Sequence, residues 1–134
     1  MVDRASKYTK LLSVSGKTAE AVSEALVKCL LPFKESVLTL TSDNGKEFAS
    51  HKYVSSILES SFYFAKPYHS WERGLNEHTN GLVRQYFPKG MSFDKICPQD
   101  VLRVEYLLNN RPRKILSFRT PCEVFQEKQI CVED

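Results

Sequence analysis

Several things are scarce in this sequence, and each absence narrows what the chain can be. It lacks a strong charge of one sign. The net charge is +3 with a pI near 8.7, short of the basic surplus that by itself announces a nucleic-acid binder, so a polyanionic partner is permitted but not demanded. No C-x-x-C pair occurs among Cys29, Cys97, Cys122 and Cys131, and His51, His69 and His78 complete no zinc spacing with them. The cysteines therefore read as reduced thiols of a cytoplasmic protein. No apolar run approaches the ~20 residues of a membrane helix, and the opening M-V-D-R-A-S-K has no apolar leader segment, so neither secretion nor a membrane partner is expected. Repeats, low-complexity tracts and linkers are also missing. With 134 residues, 42% hydrophobic and 26% charged, the expectation is one folded domain over 1–134.

Hydrophobic periodicity predicts alternating strands and helices. Tyr8, Leu12 and Val14 share one side of a period-2 stretch that ends at Ser15-Gly16, and a short strand around 2–4 precedes it. From Thr18, an N-cap, the residues Ala19, Val22, Leu26, Cys29 and Leu30 follow helical spacing as far as Pro32. A half-buried or fully buried strand covers 36–42 and runs into Asp43-Asn44-Gly45. A helix follows over 46–58, then a short aromatic strand over 61–65 and a loop through Pro67 to Trp71. The next helix covers about 74–86 and stops at Pro88 and Gly90. Another opens at Pro98, and Thr120-Pro121-Cys122-Glu123 forms a capping box for a last helix through Phe125. This order is that of an α/β fold.

The chemistry sits on two acids. Asp43 closes a predicted strand at the sheet edge where open α/β folds place their sites, and Glu77 lies on a predicted helix. Taken alone, Ser-Asp-Asn-Gly is more often a simple turn. Arg73, Glu77, Asn80 and Arg84 are spaced by four, three and four, which aligns them on one helical face. That face suits a metal ligand among phosphate-binding groups, or equally a row of solvated i,i+4 pairs worth a few tenths of a kcal/mol each. Two divalent metals about 4 Å apart, held by carboxylates, commonly drive phosphodiester chemistry. Arg111, Arg113, Lys114 and Arg119 form a local basic cluster, which is either a solvated face or a set of DNA phosphate contacts.

The runs S-W-E-R-G-L-N-E-H-T-N-G-L-V-R-Q-Y-F-P-K-G, L-T-S-D-N-G-K-E-F, V-D-R-A-S-K-Y and L-N-N-R-P-R-K-I-L-S-F-R-T-P-C-E-V-F resemble the catalytic core of transposases of the insertion sequence thirty family. These belong with retroviral integrases among the DDE recombinases. The resemblance spans about 2–125. It implies an RNase H-like fold, a mixed five-stranded sheet flanked by helices, and metal-dependent cleavage of transposon ends with strand transfer into target DNA. Asp43 looks like the second acid of the triad and Glu77 like the third, both binding Mg²⁺ or Mn²⁺. Arg73, Asn80, Arg84, Arg111, Arg113 and Lys114 take DNA-contact roles, and the loop through His69 and Trp71 resembles the active-site loop of integrases.

The family carries its first aspartate on the first, central strand, in a W-x-G-D-like segment upstream of the equivalent of V-D-R-A-S-K-Y. This chain begins at the second strand, and Asp3 belongs to the V-D-R motif and not to the triad. The resemblance therefore implies a partial core lacking the first strand, poorly folded, weak in metal binding and inactive alone. The alternative is a non-catalytic remnant that binds DNA or oligomerises. The partners implied are transposon and target DNA, with a second copy or a full-length transposase, in the bacterial cytoplasm at the nucleoid.

Overall fold

A computed structural model describes residues 1–68 and 74–130. They form two compact units, one of Val14–Arg73 and one of Met1–Ser13 with Gly74–Asp134.

In the first unit, the Thr18 hydroxyl accepts the Ala21 amide at 3.2 Å and caps α1 (Ala19–Leu30), a bond worth about 1 kcal/mol. Pro32 does not stop the chain's winding. A 3₁₀ turn continues over Leu31–Ser36, with the proline in its first turn, where a missing N–H costs nothing. Strands β1 (Thr39–Ser42) and β2 (Ser61–Phe64) pair in parallel, Thr39 with Ser61 through Ser42 with Phe64. A parallel pair needs a crossover, and α2 (His51–Leu58) supplies it.

The helix expected over 46–58 is broken into a 3₁₀ turn, Lys46–Phe48, and α2. Ser50 leaves the helical region, and His51 Nδ1 lies 3.1 Å from the Phe48 carbonyl, an acceptor that a continuous helix would have kept for itself. The strands bury one face. Leu40, Ser42, Phe62 and Phe64 are half-buried while their neighbours are exposed. The rings of Phe62 and Phe64 lie 5.4 Å apart, with His51 edge-on to Phe64 at 4.9 Å. Val54 and Leu58 of α2 are buried, and α1 packs on α2.

The second unit contains α3 (Gly74–Arg84), α4 (Pro98–Asn109) and α5 (Pro121–Ile130). Phe87, Val104 and Leu108 form its core, joined by Leu11, Leu82, Val83 and Ile96. The box at α5 is reciprocal: Thr120 N donates to Glu123 Oε2 at 2.8 Å and Glu123 N to Thr120 Oγ1 at 3.2 Å. The helix runs past Phe125 to Ile130.

Neither expected strand in the first fourteen residues forms. Val2 and Thr9 make an isolated antiparallel bridge around a turn in which Lys7 takes a left-handed conformation (φ 64°). The donors a strand would offer a sheet go to helix side chains instead. Thr9 N donates to Asn109 Oδ1 and Asn109 Nδ2 donates to Thr9 O, both at 2.8 Å. Leu11 N donates to Glu105 Oε2 at 2.8 Å, and Lys10 Nζ pairs with Glu105 Oε1 at 2.9 Å. Among the described residues the sheet has two strands, and the only other ladder contacts are single bridges.

Asp3 shapes the turn by accepting from the Ser6 amide and hydroxyl. Burial alone would raise its carboxyl. The Ser6 bonds, the Lys128 charge and the Ala5 amide outweigh this and hold it below the ordinary 3.8.

Two outcomes follow. Asn109→Leu should destabilise the chain by about 2–4 kcal/mol in urea titration, because it strands the buried Thr9 amide and carbonyl; a loss under about 0.5 kcal/mol would show that the clamp does not hold this segment. The second concerns acid. A carboxylate held below its ordinary value stabilises the folded state fully above that value and loses this as the pH falls through the folded one. The stability advantage of the native chain over Asp3→Asn should thus be constant above about pH 5 and shrink below about pH 4, as read by urea midpoints across pH. An advantage that stays flat down to pH 2 would contradict it.

Candidate active site

Asp43 stands at the C-terminal end of β1, half-buried. Its Oδ1 accepts the Gly45 amide at 3.3 Å, and the Ser42 hydroxyl donates to its carbonyl at 2.9 Å. The turn reading of Ser-Asp-Asn-Gly is thus realised in the geometry, and it holds the side chain at the sheet edge. Gly45 has an ordinary φ of −65°, and a Cβ there would meet only the Glu47 carboxylate, the far end of a flexible side chain that folds back over the turn and can swing aside.

Glu77 lies in the first turn of α3 and is exposed, as are Asn80 and Arg84. The opposite side of the helix carries the packing, with Thr79 buried and Leu82 against the core. Tyr86 falls beyond the helix, which ends at Arg84, and is exposed. Arg84 Nη1 donates to the Phe87 carbonyl at 3.4 Å, past the helix end. Arg73, His69 and Trp71 lie outside the described residues. Asp43 belongs to one compact unit and Glu77 to the other, and each is placed only within its own.

The basic cluster is reorganised. Arg119 is paired with Glu127 at the surface, with Nη1 2.9 Å from Oε2. Arg113 and Arg119 form a bridge that closes the loop between them, and Ser117 and Phe118 take left-handed conformations inside it. Arg113 is half-buried. Its Nη2 donates to the Leu108 carbonyl at 3.1 Å, while its Nε finds no acceptor among the described residues. Burial and the neighbouring Arg111 push its pKa below the ordinary guanidinium value. Arg111 and Lys114 are exposed. Lys7 and His78, to which sequence spacing gave no role, share a cleft with Arg113 and Lys114.

Carboxylate oxygens are the donors that a hard divalent cation takes, so Asp43 and Glu77 fit Mg²⁺ or Mn²⁺ by type. Among the described residues no three acids, histidines or cysteines gather into a metal-holding group. No described helix is long and apolar enough to cross a membrane.

No family model matches the chain. It is 49% identical over 125 residues to the transposase for insertion sequence element IS4351 of Bacteroides fragilis, across 93% of this chain and 38% of that protein. It is 40% identical over 127 residues to transposase InsI for insertion sequence element IS30C of Escherichia coli, across 94% of this chain and 33% of that one. The chain spans little more than a third of the length of these relatives. In three dimensions it is similar to the catalytic core domain of BIV integrase, with a TM-score of 0.69 at 21% identity, covering 99% of this chain and 87% of that one. Nearly the whole sequence is therefore homologous to one segment of the insertion-sequence transposases, and its fold is that of a retroviral integrase catalytic core.

Proposed function

We propose that this chain is the segment of a transposase core, a single domain over 1–134, that carries two of the acids for DNA strand cleavage and strand transfer. The observation that supports this best is the placement of Asp43 at the end of β1 and of Glu77 on the exposed face of α3 with Asn80 and Arg84. Asp43 and Glu77 would hold Mg²⁺ or Mn²⁺. When bound, the cation supplies activation of the attacking oxygen and charge stabilisation at the leaving oxygen. Arg84 and Asn80 hold the phosphates flanking the scissile bond, and Arg73, outside the described residues, takes a DNA contact by the resemblance. Arg111, Arg113 and Lys114 take backbone phosphates further along, contacts that position DNA without reading its sequence and weaken as salt rises.

The resemblance gives Asp43 and Glu77 the second and third positions of the triad, and a full-length transposase carries the first.

The decisive test is a chimera in which this chain replaces the matching segment of the IS4351 transposase, scored by transposition in cells. The chimera should transpose, and Asp43→Asn or Glu77→Gln should each reduce the frequency by at least about a hundredfold. Persistence of transposition in both variants would remove these acids from the chemistry. A companion measurement separates chemistry from folding. Glu77 is exposed, so Glu77→Gln in the chain itself should shift unfolding by no more than about 0.5 kcal/mol. A large shift in the urea midpoint would mean that Glu77 is structural.

A further inference from the structure

One cavity of the second unit shares Arg113 and Lys114 with that reading, which gives its other lining residues no role. It has a volume of about 500 Å³ and lies between the start of α3, Lys7 and the loop after α4. That size suits a nucleotide-sized ligand. Four of its lining residues, Lys7, His78, Arg113 and Lys114, carry nitrogen donors, and no acid is among the described residues that line it. Its remaining wall is largely apolar and includes Leu75 and Ile115, the latter 75% exposed. Lys7 is pinned at the rim, where its ammonium donates to the Arg4 carbonyl. Arg113 is held by its bond to the Leu108 carbonyl, with its Nε still lacking an acceptor among the described residues.

A cationic rim alone would suit any phosphate. Duplex DNA offers its phosphates outward but keeps the flat faces of its bases stacked inside, so it has nothing to place on Leu75 and Ile115. A strand with an unpaired base offers both surfaces at once, its phosphate to the cations and its apolar face to the wall. We propose that this cleft receives an unpaired nucleotide of a DNA strand, with the base on Leu75 and Ile115 and the flanking phosphate at Lys7 and Lys114. The inference rests on the reading that the chain acts on DNA, and it adds a site for single-stranded DNA at the ends being processed.

The test is fluorescence anisotropy of the 134-residue chain with a labelled blunt duplex and with the same duplex carrying a short single-stranded overhang. The overhang should bind about tenfold more tightly. Ile115→Ser should bring its affinity down to that of the blunt duplex, and Lys114→Gln should weaken both. An overhang bearing 4-thiothymine should photocrosslink to the peptide containing Leu75 or to that containing Ile115, a readout that needs no variant to fold. Equal affinities for the two DNAs, or a preference that survives Ile115→Ser with crosslinks elsewhere, would overturn this inference and leave the transposase reading standing. Binding of neither DNA would remove both.

Discussion

Residues 9–11 are held by side chains that imitate a neighbouring strand, and the second unit depends on that imitation. Asn109 accepts from the Thr9 amide and donates to the Thr9 carbonyl across 100 positions of sequence, the exchange that a strand makes with its partner. Four residues earlier, on the same face of α4, Glu105 takes the Leu11 amide and the Lys10 ammonium. All of this happens where water is scarce. Thr9 is 1%, Asn109 3% and Glu105 8% exposed. Each unmet backbone group there would cost about 1–3 kcal/mol. With the segment pinned, Leu11 reaches the core of Phe87, Val104 and Leu108, and Tyr8 stacks on Phe125 at 4.4 Å. The same pinning fixes the turn that carries Lys7 to the rim of the basic cleft.

The first unit relies on a different constraint. A parallel strand pair must be closed by a crossover, and α2 is short, with its apolar positions Val54 and Leu58 turned inward. Residues 43–50 join β1 to α2 through the 3₁₀ turn Lys46–Phe48, and Asp43 opens that connection. Its carboxylate shapes the turn through the Gly45 amide, so a structural role and the proposed chemical one fall on one residue. The arrangement at Glu77 is the reverse. Burial of Thr79 and Leu82 orients α3 and leaves Glu77, Asn80 and Arg84 facing solvent, where a large anionic partner can reach them.

Helix starts were the most legible features. Thr18, Pro98 and the Thr120–Glu123 box act through bonds a few residues long, and local pattern captures such bonds. The order of β1, α2 and β2 was legible for the same reason, since Val, Leu, Thr and Phe in short runs bounded by turn residues leave few alternatives. The strand expected through Tyr8, Leu12 and Val14 was misread on both counts: Leu12 and Val14 are exposed while Leu11, of the opposite parity, joins the core, and the backbone bonds to side chains and not to a sheet. The partner turned out to be a helix presenting Asn109 and Glu105. Ser50 shows the same limit on a smaller scale: apolar spacing continued through it, while the helix broke where His51 took the Phe48 carbonyl.

Sequence by itself determined the secondary-structure order, the caps, the pairing of Asp43 with a strand end and of Glu77 with a polar helix face, and the kinship to transposases, because all of these are written in short motifs and their spacing. Only tertiary structure decided that Arg119 pairs with Glu127, that Glu47 folds back over the turn at Gly45, and that Lys7 and His78 join Arg113 and Lys114 around an apolar-walled cleft. These outcomes depend on which distant side chains meet and how much water remains between them, and that is set by packing and not by local order along the chain.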